Sequence, residues 1–191
     1  MRIVRAEDES AISMQYQIVL EERGHEVTIT NNGEDCFEVY LTALSSTGEQ
    51  PPATSVNTFI ESNNTKNRLS CMDKNHLPFD VVILDYKMPK KDGLETAKAI
   101  FDACPSQRVM FASAYTVQTL TEAVKSLHKV VELLQKLFDI EYFVDAVEDK
   151  ALYEQQEGLN VRELRNFDVT HSQLVDLLVG IKNLQSVILH D

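Results

Sequence analysis

The clearest pattern in the chain is a run of four apolar residues, Val81 to Leu84, that stops at Asp85. A continuous apolar run of that length reads as a strand buried on both faces, as in a parallel sheet. Pro89 and Gly93 follow closely, so the strand ends at Asp85 and a loop begins. Similar units recur on both sides. Arg2 to Ala6 predicts a short strand, and the helix after it carries Ile12, Tyr16, Val19 and Leu20 at helical spacing, with Ser10 placed to cap it and Gly24 to close it. Glu26 to Thr30 predicts a second strand, and the turn Asn31-Asn32-Gly33 leads into a helix bearing Cys36, Phe37, Tyr40 and Leu41. After Gly93 a helix runs through Leu94, Ala97, Ile100 and Phe101 and ends before Pro105. Val109 to Ala112 is the expected fourth strand, Val117 to Leu127 a helix, and Val130 to Leu134 a fifth strand. Asp139 then caps a long helix bearing Tyr142, Phe143, Ala146, Val147 and Leu152.

Five strand–helix units in succession predict an α/β domain, a flavodoxin-like doubly wound five-stranded parallel sheet of order 2-1-3-4-5 with helices on both faces. Two segments depart from the alternation. Residues 44–76 hold fourteen Ser, Thr or Asn and the pair Pro51-Pro52, with almost no periodicity, and read as a flexible surface insertion before the third strand. Its short apolar piece, Val56 to Ile60, is either a docking element or part of a tolerated excursion, the second reading being favoured. Beyond about residue 156, Thr170-His171-Ser172-Gln173 forms a capping box ahead of Leu174, Leu177, Leu178, Ile181, Leu184 and Ile188. This amphipathic helix must bury its stripe, by folding back or as a dimer or partner surface. The expected organisation is a domain over 1–155 and a helical extension over 156–191.

Composition narrows the function. The net charge of −12 argues against a general nucleic-acid or anionic-membrane binder, because phosphates would be repelled. Residues 149–191 carry four Lys or Arg against seven Asp or Glu, so the extension lacks the basic face of a DNA-reading helix. Cys36, Cys71 and Cys104 are scattered, which fits free thiols in a reducing compartment. No apolar run approaches a membrane span, and the amino terminus does not resemble a signal peptide. A cytoplasmic location is the expectation, and in it the Asn63-Asn64-Thr65 sequon has no meaning.

The strand ends carry the chemistry. Glu7 and Asp8 follow the first strand, Asp85 the third, Ser113 the fourth and Lys136 the fifth. A parallel sheet brings all of these to one edge, where ligands and chemistry collect. Three carboxylates there repel one another unless a cation sits among them, and their oxygens suit Mg²⁺. With the ion present, Asp85 can act as a carboxylate nucleophile on phosphorus, while Lys136 neutralises phosphoryl charge and the Ser113 hydroxyl donates a hydrogen bond.

Leu84-Asp85-Tyr86-Lys87-Met88-Pro89, with Asp92-Gly93 after it, resembles the phosphoacceptor segment of a two-component response regulator receiver domain, and with the other strand ends the resemblance covers about residues 2 to 150 outside the insertion. It implies that Glu7 and Asp8 are the metal-binding acids, that Asp85 is the phosphorylated residue, and that the Lys87 backbone carbonyl also ligates the metal. Ser113 corresponds to the switch hydroxyl and Lys136 to the lysine that contacts the phosphoryl group. Implied too are a sensor histidine kinase or phosphotransfer protein as donor, slow self-dephosphorylation, and a downstream protein target. The protein is then not a conventional enzyme but catalyses its own phosphorylation. A stand-alone receiver could pair as a homodimer through its fourth-helix, fifth-strand, fifth-helix face or through the C-terminal helix. Four departures stand out: Leu137 in place of the proline after the lysine, Leu133 where receivers often carry a switch aromatic, Tyr115 near the switch serine as a substitute shield, and Arg5 inside an apolar strand, where an unpaired charge is expensive. The alternative is a pseudo-receiver, a protein-binding module that works without phosphorylation. A phosphohydrolase of the haloacid dehalogenase type needs a second Asp two residues after the first, where this chain has Lys87.

Overall fold

The structure, a computed structural model, describes residues 1–46, 77–129, 131–136 and 138–149. Five strands, β1 (Arg2–Ala6), β2 (Glu26–Thr30), β3 (Val81–Leu84), β4 (Val109–Ser113) and β5 (Glu132–Gln135), form one sheet of order β2-β1-β3-β4-β5. Every pairing is parallel. Five helices join them: α1 (Ser10–Glu22), α2 (Gly33–Ser46), α3 (Gly93–Ala103), α4 (Val117–Val124) with a 3₁₀ turn at Lys125–Leu127, and α5 (Ile140–Glu148). This is the doubly wound order expected from the alternation. Among the described residues no helix is long and apolar enough to cross a membrane.

The two-residue period of the strands builds two cores. Val4, Ala6, Val82, Leu84, Val109 and Phe111 face α2, α3 and α4, where Tyr40, Ile100 and Val124 pack on them. Ile3, Val81, Ile83, Met110 and Leu134 face α1 and α5, meeting Leu20, Phe143 and Val147. β3 is buried along its whole length, which is why its sequence is a continuous apolar run rather than an alternation. Each fully buried large side chain contributes roughly 1.5–3 kcal/mol.

Helix ends are set by local chemistry. Asp92 caps α3 with a reciprocal capping box to Glu95, and the side chains of Thr116 and Asp139 cap α4 and α5. Gly24, at φ +83°, ends α1 with the paired bonds of a Schellman motif, Gly24 N–H to the Glu21 carbonyl and His25 N–H to the Leu20 carbonyl.

Three sequence expectations need correction. Ser10 is the first residue of α1 rather than its cap; Glu9 stands at the cap position without a side-chain bond, its carbonyl accepting from Ser13 N–H. The insertion does not begin at Leu44, because α2 runs to Ser46. Ala43 and Leu44 pack on the core, and the Ser45 and Ser46 hydroxyls bond back to the Leu41 and Thr42 carbonyls. The β5 ladder opens at Glu132, paired with Met110, and extends to Gln135, paired with Ser113. The rest of the insertion, Val130, Leu137, Leu152 and the C-terminal extension lie outside the described residues.

Candidate functional site at the carboxyl edge of the sheet

Backbone bonds carry the sheet past its strand ends and draw the loops together. Glu7 N–H donates to the Thr30 carbonyl at 3.0 Å, Asp85 N–H to the Ala6 carbonyl at 3.0 Å, and Lys136 N–H to the Ser113 carbonyl at 2.7 Å. Gly93 packs so closely on the loop after β3 that a methyl group there would collide with the Asp85 carbonyl oxygen, and its own N–H donates to the Tyr86 carbonyl. The Asp92-Gly93 pair therefore both starts α3 and fixes the backbone that presents Asp85.

Four of the predicted side chains converge on one another. The Ser113 hydroxyl donates to Asp85 Oδ1 at 2.8 Å. Lys136 Nζ donates to Asp85 Oδ2 at 2.7 Å and to Glu7 Oε2 at 2.6 Å. Lys87 N–H lies 3.4 Å from Asp85 Oδ1, so the backbone at 87 is also within reach of the carboxylate. Asp8 is exposed, yet carboxylate oxygens of Glu7, Asp8 and Asp85 all lie within 4.8 Å of one another. Burial would raise the Asp85 pKa, but hydrogen bonds and charge from Lys136, the Ser113 hydroxyl and the Lys87 N–H outweigh it and hold the carboxyl below its ordinary range. Asp85 is thus kept ionised.

The residue whose role the sequence did not reveal is Arg5. It does reach a carboxylate: Nη2 donates to Glu7 Oε2 at 2.8 Å, both side chains being 1% exposed. Its guanidinium carbon lies 4.3 Å from the Tyr16 ring centroid and 5.4 Å from that of Phe143. Burial lowers its pKa, with the charge and hydrogen bond of Glu7 acting in the opposite sense. Alternation along β1 places residues 5 and 7 on one face, and that was the available signal. Glu7 Oε2 consequently accepts from two cations, Arg5 and Lys136.

The departures near the site have simple surroundings. Leu133 is half-buried and packs on the core beside α4. Tyr115 is 43% exposed and meets the Tyr86 ring edge-on at 5.3 Å, with the Lys87 ammonium 5.0 Å from the Tyr86 centroid. These aromatic rings join the loop after β3 to the loop after β4.

Comparison with known proteins agrees with this fold. Residues 54–148 match the family model of the response regulator receiver domain. That match begins after β1 and β2, so Glu7 and Asp8 join the site through the fold rather than through the matched stretch. The chain is 31% identical over 103 residues to Histidine kinase 1 of Arabidopsis thaliana, a match covering 52% of this chain and 8% of that protein. The chain thus corresponds to only a small part of that relative. Among solved structures, the receiver domain of Francisella response regulator 1452 aligns with TM-score 0.53 and 20% identity, covering 81% of this chain and 98% of that one. A CheY-like receiver domain protein of Methanospirillum hungatei aligns with TM-score 0.54 and 15% identity, covering 83% and 97%. By its matched sequence and by its sheet, the chain carries a response regulator receiver domain.

Proposed function

We propose that Asp85 accepts a phosphoryl group from the phosphohistidine of a sensor histidine kinase or phosphotransfer protein. An Asp85 carboxylate oxygen attacks phosphorus, the donor's phosphorus–nitrogen bond breaks with its electrons going to the imidazole, and an acyl phosphate results. The observation that carries this reading is the convergence of Ser113 and Lys136 on an ionised Asp85 at the end of a buried strand. Lys136 is placed to neutralise phosphoryl oxygens, and the Ser113 hydroxyl to exchange its bond to Asp85 for one to the phosphoryl group. The all-oxygen donor set of Glu7, Asp8 and Asp85 fits a hard divalent ion, and these residues with the Lys87 backbone carbonyl would hold Mg²⁺. When bound, the ion supplies positive charge to the phosphoryl oxygens.

The Ser113 bond links chemistry to output. Its transfer to the phosphoryl group draws the loop after β4 inward and alters the face made by α4, β5 and α5, where a downstream protein or a second copy docks. The protein works in the cytoplasm and slowly dephosphorylates itself. A second reading, a binding module independent of phosphorylation, draws on the same cluster: Arg5 and Lys136 already satisfy Glu7 and Asp85 without any phosphate.

Intact mass after incubation with Mg²⁺ and acetyl phosphate separates the two. One added phosphate is expected on wild type and none on Asp85→Asn. Folded wild-type protein that takes up no phosphate from either acetyl phosphate or a histidine kinase would leave only the binding module.

A further inference from the structure

An inner parallel strand favours an aliphatic residue where β1 has Arg5, because a guanidinium loses its hydration there. Among the described residues, Arg5 Nε and Nη1 have no hydrogen-bond partner, so hydrogen bonding alone does not account for the residue. The rings of Tyr16 and Phe143 pack beside the guanidinium and confine its one polar contact to Glu7. Arg5 thus places a fixed positive charge behind the acidic edge, one carboxylate away from Lys136. Formally, three carboxylates at that edge face two cations; without Arg5 they would face one.

We propose that Arg5 is a positioning residue acting through Glu7: it holds that carboxylate against Lys136 and, by its charge, weakens the grip of the edge on a divalent cation. This inference rests on the reading that Glu7, Asp8 and Asp85 take such a cation. The arrangement ties the metal's affinity to a residue that does not touch it. Arg5 and Lys136 share Glu7 Oε2, so two cations already draw on the charge that Glu7 would offer the ion. Removing the Arg5 charge strengthens cation binding by about tenfold, the scale expected for one unit charge several ångströms from a divalent ion at a near-aqueous effective dielectric.

The test is calorimetric titration of the full chain with Mg²⁺ itself, on wild type, Arg5→Met, Arg5→Gln and Arg5→Lys, each checked for folding by circular dichroism. Arg5→Gln is shorter but neutral and polar, a different replacement that covers the case in which Arg5→Met does not fold. Both neutral variants are expected to bind Mg²⁺ about tenfold more tightly than wild type, and Arg5→Lys to stay within about threefold of it. Folded neutral variants whose affinity equals that of wild type would overturn the role of Arg5 while leaving the metal site standing. Absence of Mg²⁺ binding by wild type and by every variant would overturn the metal site, and the proposal with it.

Discussion

Arg108 and Arg5 are buried to nearly the same extent, 3% and 1% exposed, in the same sheet, yet their surroundings differ in kind. Arg108 stands just before β4, at the amino edge. Its Nε and Nη2 form a fork on the two Glu132 oxygens at 2.7 and 2.9 Å, and Nη1 and Nη2 donate to the Val147 and Ala146 carbonyls at the end of α5. Beside it, Gln107 accepts from the Tyr40 hydroxyl and donates to the Phe79 carbonyl. That edge is saturated. Arg5, toward the carboxyl edge, has one polar partner among the described residues, and that partner is shared with Lys136. The difference teaches where to look for function in a parallel sheet. A buried charge whose bonds are filled holds elements together, whereas one left short of bonds is kept for what it does to its neighbours.

The sharpest way to break this comparison is to remove the saturated arginine. Arg108→Met takes a guanidinium from a buried carboxylate and from two helix-terminal carbonyls, a loss of the class that costs about 3–5 kcal/mol. Urea unfolding should show a fall on that scale, while the Mg²⁺ affinity of the folded variant stays at the wild-type value. A Mg²⁺ affinity that moved as much as the stability would mean that the two edges are not separate.

A smaller effect tests the carboxyl edge alone. Ser113→Ala deletes one donor to Asp85 and leaves Lys136 in place. Loss of a donor aimed at developing charge typically slows a reaction by about 10²-fold, while a hydrogen bond contributes only about 1 kcal/mol to stability. The rate of phosphate uptake, followed by intact mass, should therefore drop far more than the unfolding midpoint. A variant that took up phosphate at the wild-type rate would remove Ser113 from the machinery.

Much of this edge was legible because its residues sit where apolar runs stop. Asp85 announces itself by ending Val81–Leu84, and Glu7 and Asp8 by following Arg2–Ala6. What was hidden required contacts between distant parts of the chain. The pairing of Arg5 with Glu7 follows from strand alternation, but the rings beside it come from α1 and α5, and no local pattern joins Tyr16 to Phe143. The start of β5 was misplaced for a related reason. Val130 and Val131 look like strand residues, and Glu132 does not, until Arg108 is there to neutralise it. Leu44 to Ser46 looked like the start of a loop because hydroxyls usually compete with the helix backbone. Here Ser45 and Ser46 turn those hydroxyls onto their own helix.

The smallest predicted effect concerns pH and separates the two edges once more. Asp85 is raised by burial but lowered further by Lys136, Ser113 and the Lys87 N–H, so its folded pKa lies below its unfolded one. A carboxyl shifted in that direction stabilises the fold above its unfolded pKa, about 3.9 for Asp, and that stabilisation is lost as the pH falls through the lower folded value. An Asn at position 85 cannot ionise and carries no such contribution. In urea unfolding without metal, the advantage of wild type over Asp85→Asn should hold at neutral pH and shrink once the pH drops below about 4. The defect of Arg108→Met at the amino edge contains no Asp85 contribution, so lowering the pH over that interval should not close it in step. If instead the Asp85→Asn difference stayed constant down to the acid limit of the folded state, the ionised carboxylate would not be what Lys136 and Ser113 stabilise. Their convergence on Asp85 would then be packing rather than preparation for chemistry.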